Sequence, residues 1–175
     1  MRYHFTDGEI KKLAATFTVL TDTREQENGH VIAWLEKAGI PYKTRALATG
    51  DYSIMAPACP EIGLPRDTYF AAAIERKNGV DELIETVKQR TRFENELIRG
   101  QQLGFSAVVV EDAAGYSRIT AGEYRSQYDS KALQASLAAL SLRYRCPIHF
   151  LPTELSARWI YTYLYYFAIE RLRRP

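Results

Sequence analysis

Short apolar segments alternate with segments of helical periodicity along most of this 175-residue chain, and this alternation limits the fold most strongly. Residues 17–22 (FTVLTD) and 105–112 (FSAVVVED) are rich in β-branched side chains and predict strands. Apolar side chains recur at helical spacing in four segments, residues 29–38, 80–102, 130–144 and 153–172. Strands separated by helices predict an α/β fold with a mixed central sheet flanked by helices.

Further elements are predicted between these segments. PYKTRAL and DYSIMA are expected to pair as a hairpin through Thr49 and Gly50, and residues 56–67, which contain three prolines, are expected to form a loop. TYFAAAIERK predicts one central strand, and CPIHFL predicts a short last strand. Thr6 and Glu9 have the spacing of a capping box, which predicts a short helix at the N-terminus.

Length and composition predict one folded domain over residues 1–175, with a core at about 17–152 and an aromatic C-terminal helix at about 153–172. Apolar residues make up 46% of the chain and charged residues 25%, as in ordinary globular proteins. The net charge of +2 is too small to indicate a nucleic-acid partner by itself. Any DNA contact must therefore come from a local arrangement of charges.

The cysteines and the apolar runs indicate a cytoplasmic protein without a membrane segment. Cys59 and Cys146 lack metal-ligand spacing and favour a reducing compartment. The aromatic run at residues 159–169 is shorter than the roughly 20 residues that span a bilayer. The three histidines are scattered without ligand spacing and are interpreted as structural: His4, His30 and His149.

The stretch AAAIERK at residues 71–77 ends an apolar strand on three charges. Because strand side chains alternate between faces, Glu75 and Lys77 are expected on one side and Arg76 on the other. Asp51 begins the strand DYSIMA and supplies a second carboxylate. Two carboxylates and an ammonium group are what a Mg²⁺-dependent phosphodiesterase requires. Two plainer interpretations stay open, a turn aspartate at position 51 and a structural ion pair at Arg76.

Several motifs, taken together, resemble the XPF-type structure-specific endonucleases. GDY at residues 50–52 followed by IERKNGVDEL at 74–83 is similar to their GD…ERKxxxD signature. TDTRE, RFENEL and AVVVED follow the family's order, and the resemblance covers roughly residues 17–172. It implies a restriction-endonuclease-like fold of the PD-(D/E)xK superfamily, in a compact stand-alone form of the bacterial or phage type.

The resemblance also implies a set of site residues. Asp51, Glu75 and the backbone carbonyl of Arg76 would bind Mg²⁺, for which Mn²⁺ can substitute. Lys77 would assist the attacking water. Asp22 matches an acid that lies beside the metal, either as a ligand or in support of the ligands.

Further positions receive roles from the same resemblance. Glu25 and Asp81 match acidic positions around the site, and Asp81 is also expected to pair with Arg76 or Lys77. Three arginines are expected to contact DNA phosphates, namely Arg24, Arg90 and Arg92. Because the helix that carries the last two is also rich in glutamate, ion pairs within a solvated helix are the alternative.

The last helix carries two neighbouring apolar stripes, an arrangement wider than one core contact needs. The first contains Leu155, Trp159, Tyr163 and Tyr166, and the second contains Ile160, Leu164 and Phe167. XPF-type nuclease domains pair through their late helices. The resemblance therefore implies a homodimer through Trp159, Tyr163, Tyr166 and Phe167. A monomer is the alternative, because tyrosine tolerates half-exposure through its hydroxyl.

The sequence thus predicts a Mg²⁺-dependent DNA endonuclease that acts on branched, flapped or otherwise irregular DNA in repair or recombination. One alternative is a catalytically silent DNA-binding or scaffolding subunit of the same fold. A second alternative is a sequence-specific restriction-type endonuclease.

Overall fold

The computed structural model describes residues 4–174. The strands along these residues are β1 Thr18–Thr21, β2 Tyr42–Thr44, β3 Tyr52–Ala56, β4 Thr68–Tyr69, β5 Ala72–Lys77, β6 Phe105–Glu111 and β7 Ile148–Leu151. The helices are α1 Asp7–Ala14, α2 Gly29–Lys37, α3 Val80–Lys88, α4 Arg90–Gln101, α5 Gly115–Ala121, α6 Ser130–Tyr144 and α7 Thr153–Arg173. A short 3₁₀ turn lies at Pro60–Ile62.

The strands form a mixed sheet, and the chain divides into two compact units. Unit 1 contains the residues up to Leu47, the segment Asp51–Ala72 and the residues from Ala157 onward. Unit 2 contains the short segment Ala48–Gly50 and the long segment Ala73–Ser156. The single domain expected from the sequence stays a prediction.

In unit 1 the strand order is β2-β1-β3, with β4 also paired to β3. β1 runs parallel to β2 and antiparallel to β3, so that Thr21 lies opposite both Thr44 and Tyr52. The predicted hairpin between PYKTRAL and DYSIMA is therefore wrong. All four residues of β1 are buried, whereas β2 is short and mostly exposed. The more apolar strand consequently takes the central position.

In unit 2 the strand order is β5-β6-β7, and β6 runs parallel to β7. Side chains of α3, α4 and α6 pack with those of β6 in a buried cluster that includes Val80, Leu83, Ile84, Phe93, Val108, Val110, Leu133 and Leu140. This cluster packs the helices that follow β5 against the sheet. It therefore stabilises the position at which β5 ends.

The predicted helix over residues 80–102 is two helices in the structure, α3 and α4. Gln89 separates them, with φ −78° and ψ 52°, outside the helical region. Val87 and Phe93 are both buried, although they lie roughly 120° apart around a continuous helix. The break at Gln89 allows both side chains to reach the core.

Other boundaries are close to the sequence prediction. α6 and the start of α7 lie where the periodicity indicated, and the Thr6–Glu9 capping box is present. The predicted strand TYFAAAIERK is divided into β4 and β5 by Phe70 and Ala71. α5 was not predicted. Within residues 4–174, no helix is both long enough and apolar enough to cross a membrane.

Gly50 packs closely against β5 within unit 2 and has a positive φ of 72°. A Cβ atom at this position would lie 2.9 Å from the Ala73 Cβ and 3.2 Å from the Ile74 carbonyl oxygen. The residue just before Asp51 is thus packed against the two residues that precede Glu75. Only glycine combines this left-handed backbone with so short a distance.

We expect Gly50→Ala to lower the free energy of unfolding by about 3 kcal/mol, because backbone strain and overpacking add. Gly122→Ala is the matched control, since Gly122 also has a positive φ, of 74°, but has no atom within 4 Å of its ideal Cβ. The free energy of unfolding of Gly122→Ala should fall by only about 1 kcal/mol. Urea unfolding of both variants measures the difference, and equal losses would contradict the importance of this close packing.

Candidate functional site

Glu75 and Lys77 form an ion pair on one side of β5, as the alternation of strand side chains predicts. Lys77 Nζ donates to Glu75 Oε1 at 2.7 Å. The Lys77 side chain is 9% exposed and the Glu75 side chain 22% exposed. A nearly buried ammonium group is therefore held beside a carboxylate that water can still reach.

Glu82, in the first turn of α3, lies close to the same lysine. Its Oε1 is 3.5 Å from Lys77 Nζ, and its Oε2 accepts a hydrogen bond from the Asn78 backbone N–H at 2.7 Å. The second bond satisfies an amide donor just ahead of the helix. Sequence reasoning gave Glu82 no role at this site. Its position three residues after Gly79, where an acid can reach back to the chain before the helix, was the signal that pointed to this contact.

Arg76 points to the other side of β5 and forms a buried ion pair. Arg76 Nη1 donates to Glu111 Oε2 at 2.7 Å, with side-chain exposures of 4% and 1%. Ser156 Oγ donates to the other carboxylate oxygen, Glu111 Oε1, at 2.5 Å. The structural ion pair considered for Arg76 is therefore confirmed. Sequence reasoning missed Glu111 as its partner, although an acid that ends the apolar strand AVVVE was a visible signal.

Asp22 follows β1 and gathers four hydrogen bonds on a side chain that is completely buried. Oδ1 accepts from the backbone N–H and Nε of Arg24, at 2.8 and 2.6 Å. Oδ2 accepts from the Leu47 N–H at 2.6 Å and from Arg24 Nη2 at 3.2 Å. Burial raises the pKa of Asp22, but the hydrogen bonds from Arg24 and Leu47 outweigh it and hold the pKa below its usual 3.8.

Asp51 and Glu25 are both linked to Asp22 through the backbone. The Asp22 N–H donates to the Asp51 carbonyl oxygen at 2.8 Å, and the Glu25 N–H donates to the Asp22 carbonyl oxygen at 3.2 Å. The side chains of Asp51 and Glu25 are half-buried. Asp22 thus fixes the backbone at the start of DYSIMA, while its own carboxylate oxygens are already engaged.

Asp81 does not make the contact that its position suggested. Its carboxylate accepts from the backbone N–H and the Nε of Arg125, at 3.0 and 3.1 Å. The hypothesis that Asp81 pairs with Arg76 or Lys77 is therefore wrong, because the first turn of α3 directs it toward the loop after α5. The backbone hydrogen bond from Arg125 is the main reason that the pKa of Asp81 lies below its usual value.

The arginines expected to contact DNA all have carboxylate partners. Arg90 Nε lies 2.9 Å from Glu94 Oε1, and Arg92 Nε lies 3.3 Å from Glu96 Oε1, each four residues further along α4. The Arg24 side chain, 68% exposed, is held by Asp22. The ion pairs within α4 are those expected of a solvated helix, and DNA contact by these arginines stays a prediction.

A divalent cation would have few protein ligands here. Among residues 4–174, no group of three or more histidine, cysteine, aspartate or glutamate side chains is arranged to hold a metal ion. Mg²⁺, however, keeps several waters and is usually bound through only one or two carboxylates. A groove of about 230 Å³ lies beside Glu75 and Lys77, with Glu82 and Arg92 also on its walls. The half-exposed carboxylate and this space fit a hydrated cation.

The mixed sheet with its flanking helices and the acid–lysine pair on β5 agree with the XPF-type nuclease domain that the sequence motifs resemble. The chain belongs to the ERCC4 domain family, because this domain matches residues 21–163. The predicted family and the predicted fold class are thus confirmed. No curated protein matches the chain.

Two solved structures show the same fold. XPF from Aeropyrum pernix superposes with a TM-score of 0.58 at 20% identity, over 90% of this chain. XPF from Aeropyrum pernix in complex with DNA superposes with a TM-score of 0.59 at 21% identity, over 88% of this chain. This chain covers 66% of the length of each. At these identities the two structures show the fold alone, and the domain match shows the family.

The lowered pKa of Asp22 makes a prediction about stability in acid. A carboxyl whose pKa is lower in the folded protein stabilises the fold fully above its usual pKa, and this contribution is lost as the pH falls through the folded value. We expect the free energy of unfolding of the wild type to fall more than that of Asp22→Asn between about pH 5 and about pH 2. Near neutral pH the variant should be less stable by about 1–3 kcal/mol. Urea unfolding at each pH measures both proteins. If the stability of the wild type and of Asp22→Asn changed equally with pH, the hydrogen bonds to the Asp22 carboxylate would not stabilise the fold as described.

Proposed function

We propose that this protein is a Mg²⁺-dependent DNA endonuclease that hydrolyses phosphodiester bonds in branched, flapped or otherwise irregular DNA. The single observation that carries the proposal is the Glu75–Lys77 pair at 2.7 Å, in a chain that belongs to the ERCC4 domain family. The pair lies beside a groove with room for a hydrated cation. Roles in DNA repair or recombination and a cytoplasmic location are part of the same proposal.

Asp51, Glu75 and the backbone carbonyl of Arg76 would hold the cation. All three offer oxygen atoms, the donors that Mg²⁺ prefers, and Mn²⁺ should substitute. Gly50 is packed against Ala73 and Ile74 within unit 2. Asp51 follows Gly50 in the chain, and Glu75 follows Ile74. When bound, the cation supplies Lewis-acid polarisation of the phosphate and a more acidic water.

The remaining residues orient and support this site. Lys77 holds its ammonium group where it can orient the attacking water or offset developing negative charge. The buried Arg76–Glu111 pair fixes the backbone on both sides of Arg76. Asp22 acts in support rather than as a ligand, because both of its carboxylate oxygens already accept two hydrogen bonds. Glu25 and Asp81 are proposed as supporting acids, Asp81 through its hydrogen bonds with Arg125.

DNA is the proposed partner, and one of the similar folds is solved as a complex with DNA. Arg24 and Arg92 are well exposed, and Arg90 is partly exposed. Surface ion pairs are worth only about 0–1 kcal/mol, so a phosphate can replace the glutamate partners of Arg90 and Arg92 at little cost. We propose that these three arginines contact the DNA backbone.

A panel of labelled flap, splayed, nicked, junction and linear DNAs, incubated with Mg²⁺ and then with EDTA, tests the activity. We expect cleavage of the irregular substrates, abolished by EDTA, and at least about 100-fold slower cleavage in Asp51→Asn, Glu75→Gln and Lys77→Ala. Glu170→Gln removes an exposed carboxylate from α7 that pairs with Arg173. It should cleave like the wild type.

Three results would overturn the proposal. Absent cleavage by both the wild type and Lys77→Ala would favour a catalytically silent DNA-binding or scaffolding subunit. Discrete bands from plasmid DNA would favour a restriction-type enzyme. Cleavage that persists in EDTA would exclude dependence on a divalent metal.

We further propose that two copies pair through α7. Ile160 and Leu164 are buried, whereas Leu155, Tyr163 and Tyr166 are 49%, 42% and 61% exposed. One apolar stripe therefore packs in the core, and the other faces outward. Large apolar side chains grouped on one exposed helix face are typical of an interface.

The outward stripe predicts that the oligomeric state depends on its tyrosines. The wild type should sediment as a dimer at micromolar concentration, and the double variant Tyr163→Ser with Tyr166→Ser should sediment as a monomer, because it removes the apolar contact area. Tyr116→Ser is the control, since Tyr116 is 60% exposed on α5. Analytical ultracentrifugation measures all three. A monomeric wild type, or a variant that remains dimeric, would exclude this interface.

A further inference from the structure

We infer that Glu82 is a positioning residue for Lys77: it takes over the lysine ammonium when Glu75 turns to the divalent cation. The inference rests on the proposed function, because it concerns the ion that Glu75 would bind. It assigns to Glu82 a role beyond the ERKxxxD pattern, in which the acid of the last position is Asp81.

The ion pair between Glu75 and Lys77 conflicts with metal binding. Glu75 Oε1 lies 2.7 Å from Lys77 Nζ. A cation bound at that oxygen would compete with the ammonium for the same lone pairs, and the two positive charges would repel each other. A cation bound at Oε1 would therefore displace Lys77 from that oxygen.

Lys77 cannot simply turn into solvent at no cost. Its side chain is 9% exposed, and a buried ammonium needs a carboxylate or another acceptor close by. Glu82 Oε1 lies 3.5 Å from Lys77 Nζ, slightly beyond hydrogen-bond distance. A small movement of the ammonium toward α3 converts this contact into a direct bond. The charge on Lys77 is then compensated in both states.

The Glu82 carboxylate is already held in a position from which it can accept a hydrogen bond from Lys77. The hydrogen bond from the Asn78 N–H to Oε2 fixes the rotation of its carboxylate and directs Oε1 toward Lys77. The side chain is 47% exposed, so its negative charge is largely hydrated and costs little to maintain. Asn78 follows Lys77 directly in the chain, so one carboxylate links both residues.

The plainer interpretation is that Glu82 only satisfies the amide ahead of α3. Glu82→Gln separates the two roles, because the glutamine carbonyl still accepts from the Asn78 N–H but carries no charge for Lys77. Glu85→Gln is the matched control. Glu85 lies on the same helix and the same groove wall, but its carboxylate pairs with Lys88 at 2.8 Å.

The test is the affinity for Mn²⁺, measured by isothermal titration calorimetry without DNA. We expect Glu82→Gln to weaken Mn²⁺ binding about fivefold and Glu85→Gln to weaken it less than about twofold. In a Lys77→Ala background the effect of Glu82→Gln should shrink to that of Glu85→Gln, because no ammonium remains to be transferred. Urea unfolding of each variant verifies that the fold is retained.

The outcomes also distinguish this inference from the proposed function. A wild type that binds no Mn²⁺ would overturn both. A wild type that binds Mn²⁺ and cleaves DNA, with Glu82→Gln equal to Glu85→Gln, would overturn the role of Glu82 alone. An equal loss from Glu82→Gln with and without Lys77 would mean that Glu82 acts on the cation directly rather than through the lysine.

Discussion

The buried ion pair between Arg76 and Glu111 is the constraint on which the rest of this structure depends. β5 carries three successive charges at its end, and the alternation of strand side chains sends the middle one into the interior. A guanidinium that is 4% exposed needs a carboxylate beside it, and removing one partner of such a pair typically costs about 3–5 kcal/mol. Glu111 at the end of β6 meets this need, and Ser156 satisfies its second oxygen. The register at the end of β5 is thereby fixed.

The acidic residues fall into two groups, which differ in their hydrogen-bond partners and in their burial. Glu111 and Asp22 are buried and fully engaged, so they hold the backbone of their own units in place. Glu75 and Glu82 keep access to water and share one lysine between them. The two groups of acids thus differ in burial and in access to water, although the residue types are the same.

The sequence predicted the local features better than the long-range ones. Periodicity located α6, and alternation on β5 separated Arg76 from Glu75 and Lys77, because both depend on neighbours in the chain. The hairpin between PYKTRAL and DYSIMA was wrong because strand order depends on which strand is most deeply buried. The partners of Arg76 and Asp81 are Glu111 and Arg125, each distant in sequence. Sequence spacing predicts contacts only between residues close together in the chain, so these pairings are visible only in the three-dimensional structure.

The order in which chain segments contribute to the two units has a consequence for folding during synthesis. Unit 2 consists almost wholly of the continuous segment Ala73–Ser156, whereas unit 1 combines three stretches, of which the last contains most of α7. The Phe17 ring lies 5.7 Å from that of Tyr165 on α7, so Phe17 acquires this neighbour only after the intervening segment of unit 2 has been synthesised. Unit 2 can form its internal contacts as soon as it leaves the ribosome, because the residues that make them belong to one nearly continuous segment. The first stretch of unit 1 is therefore expected to expose an incompletely packed apolar surface while unit 2 is being synthesised, and chaperones would be needed most at this stage.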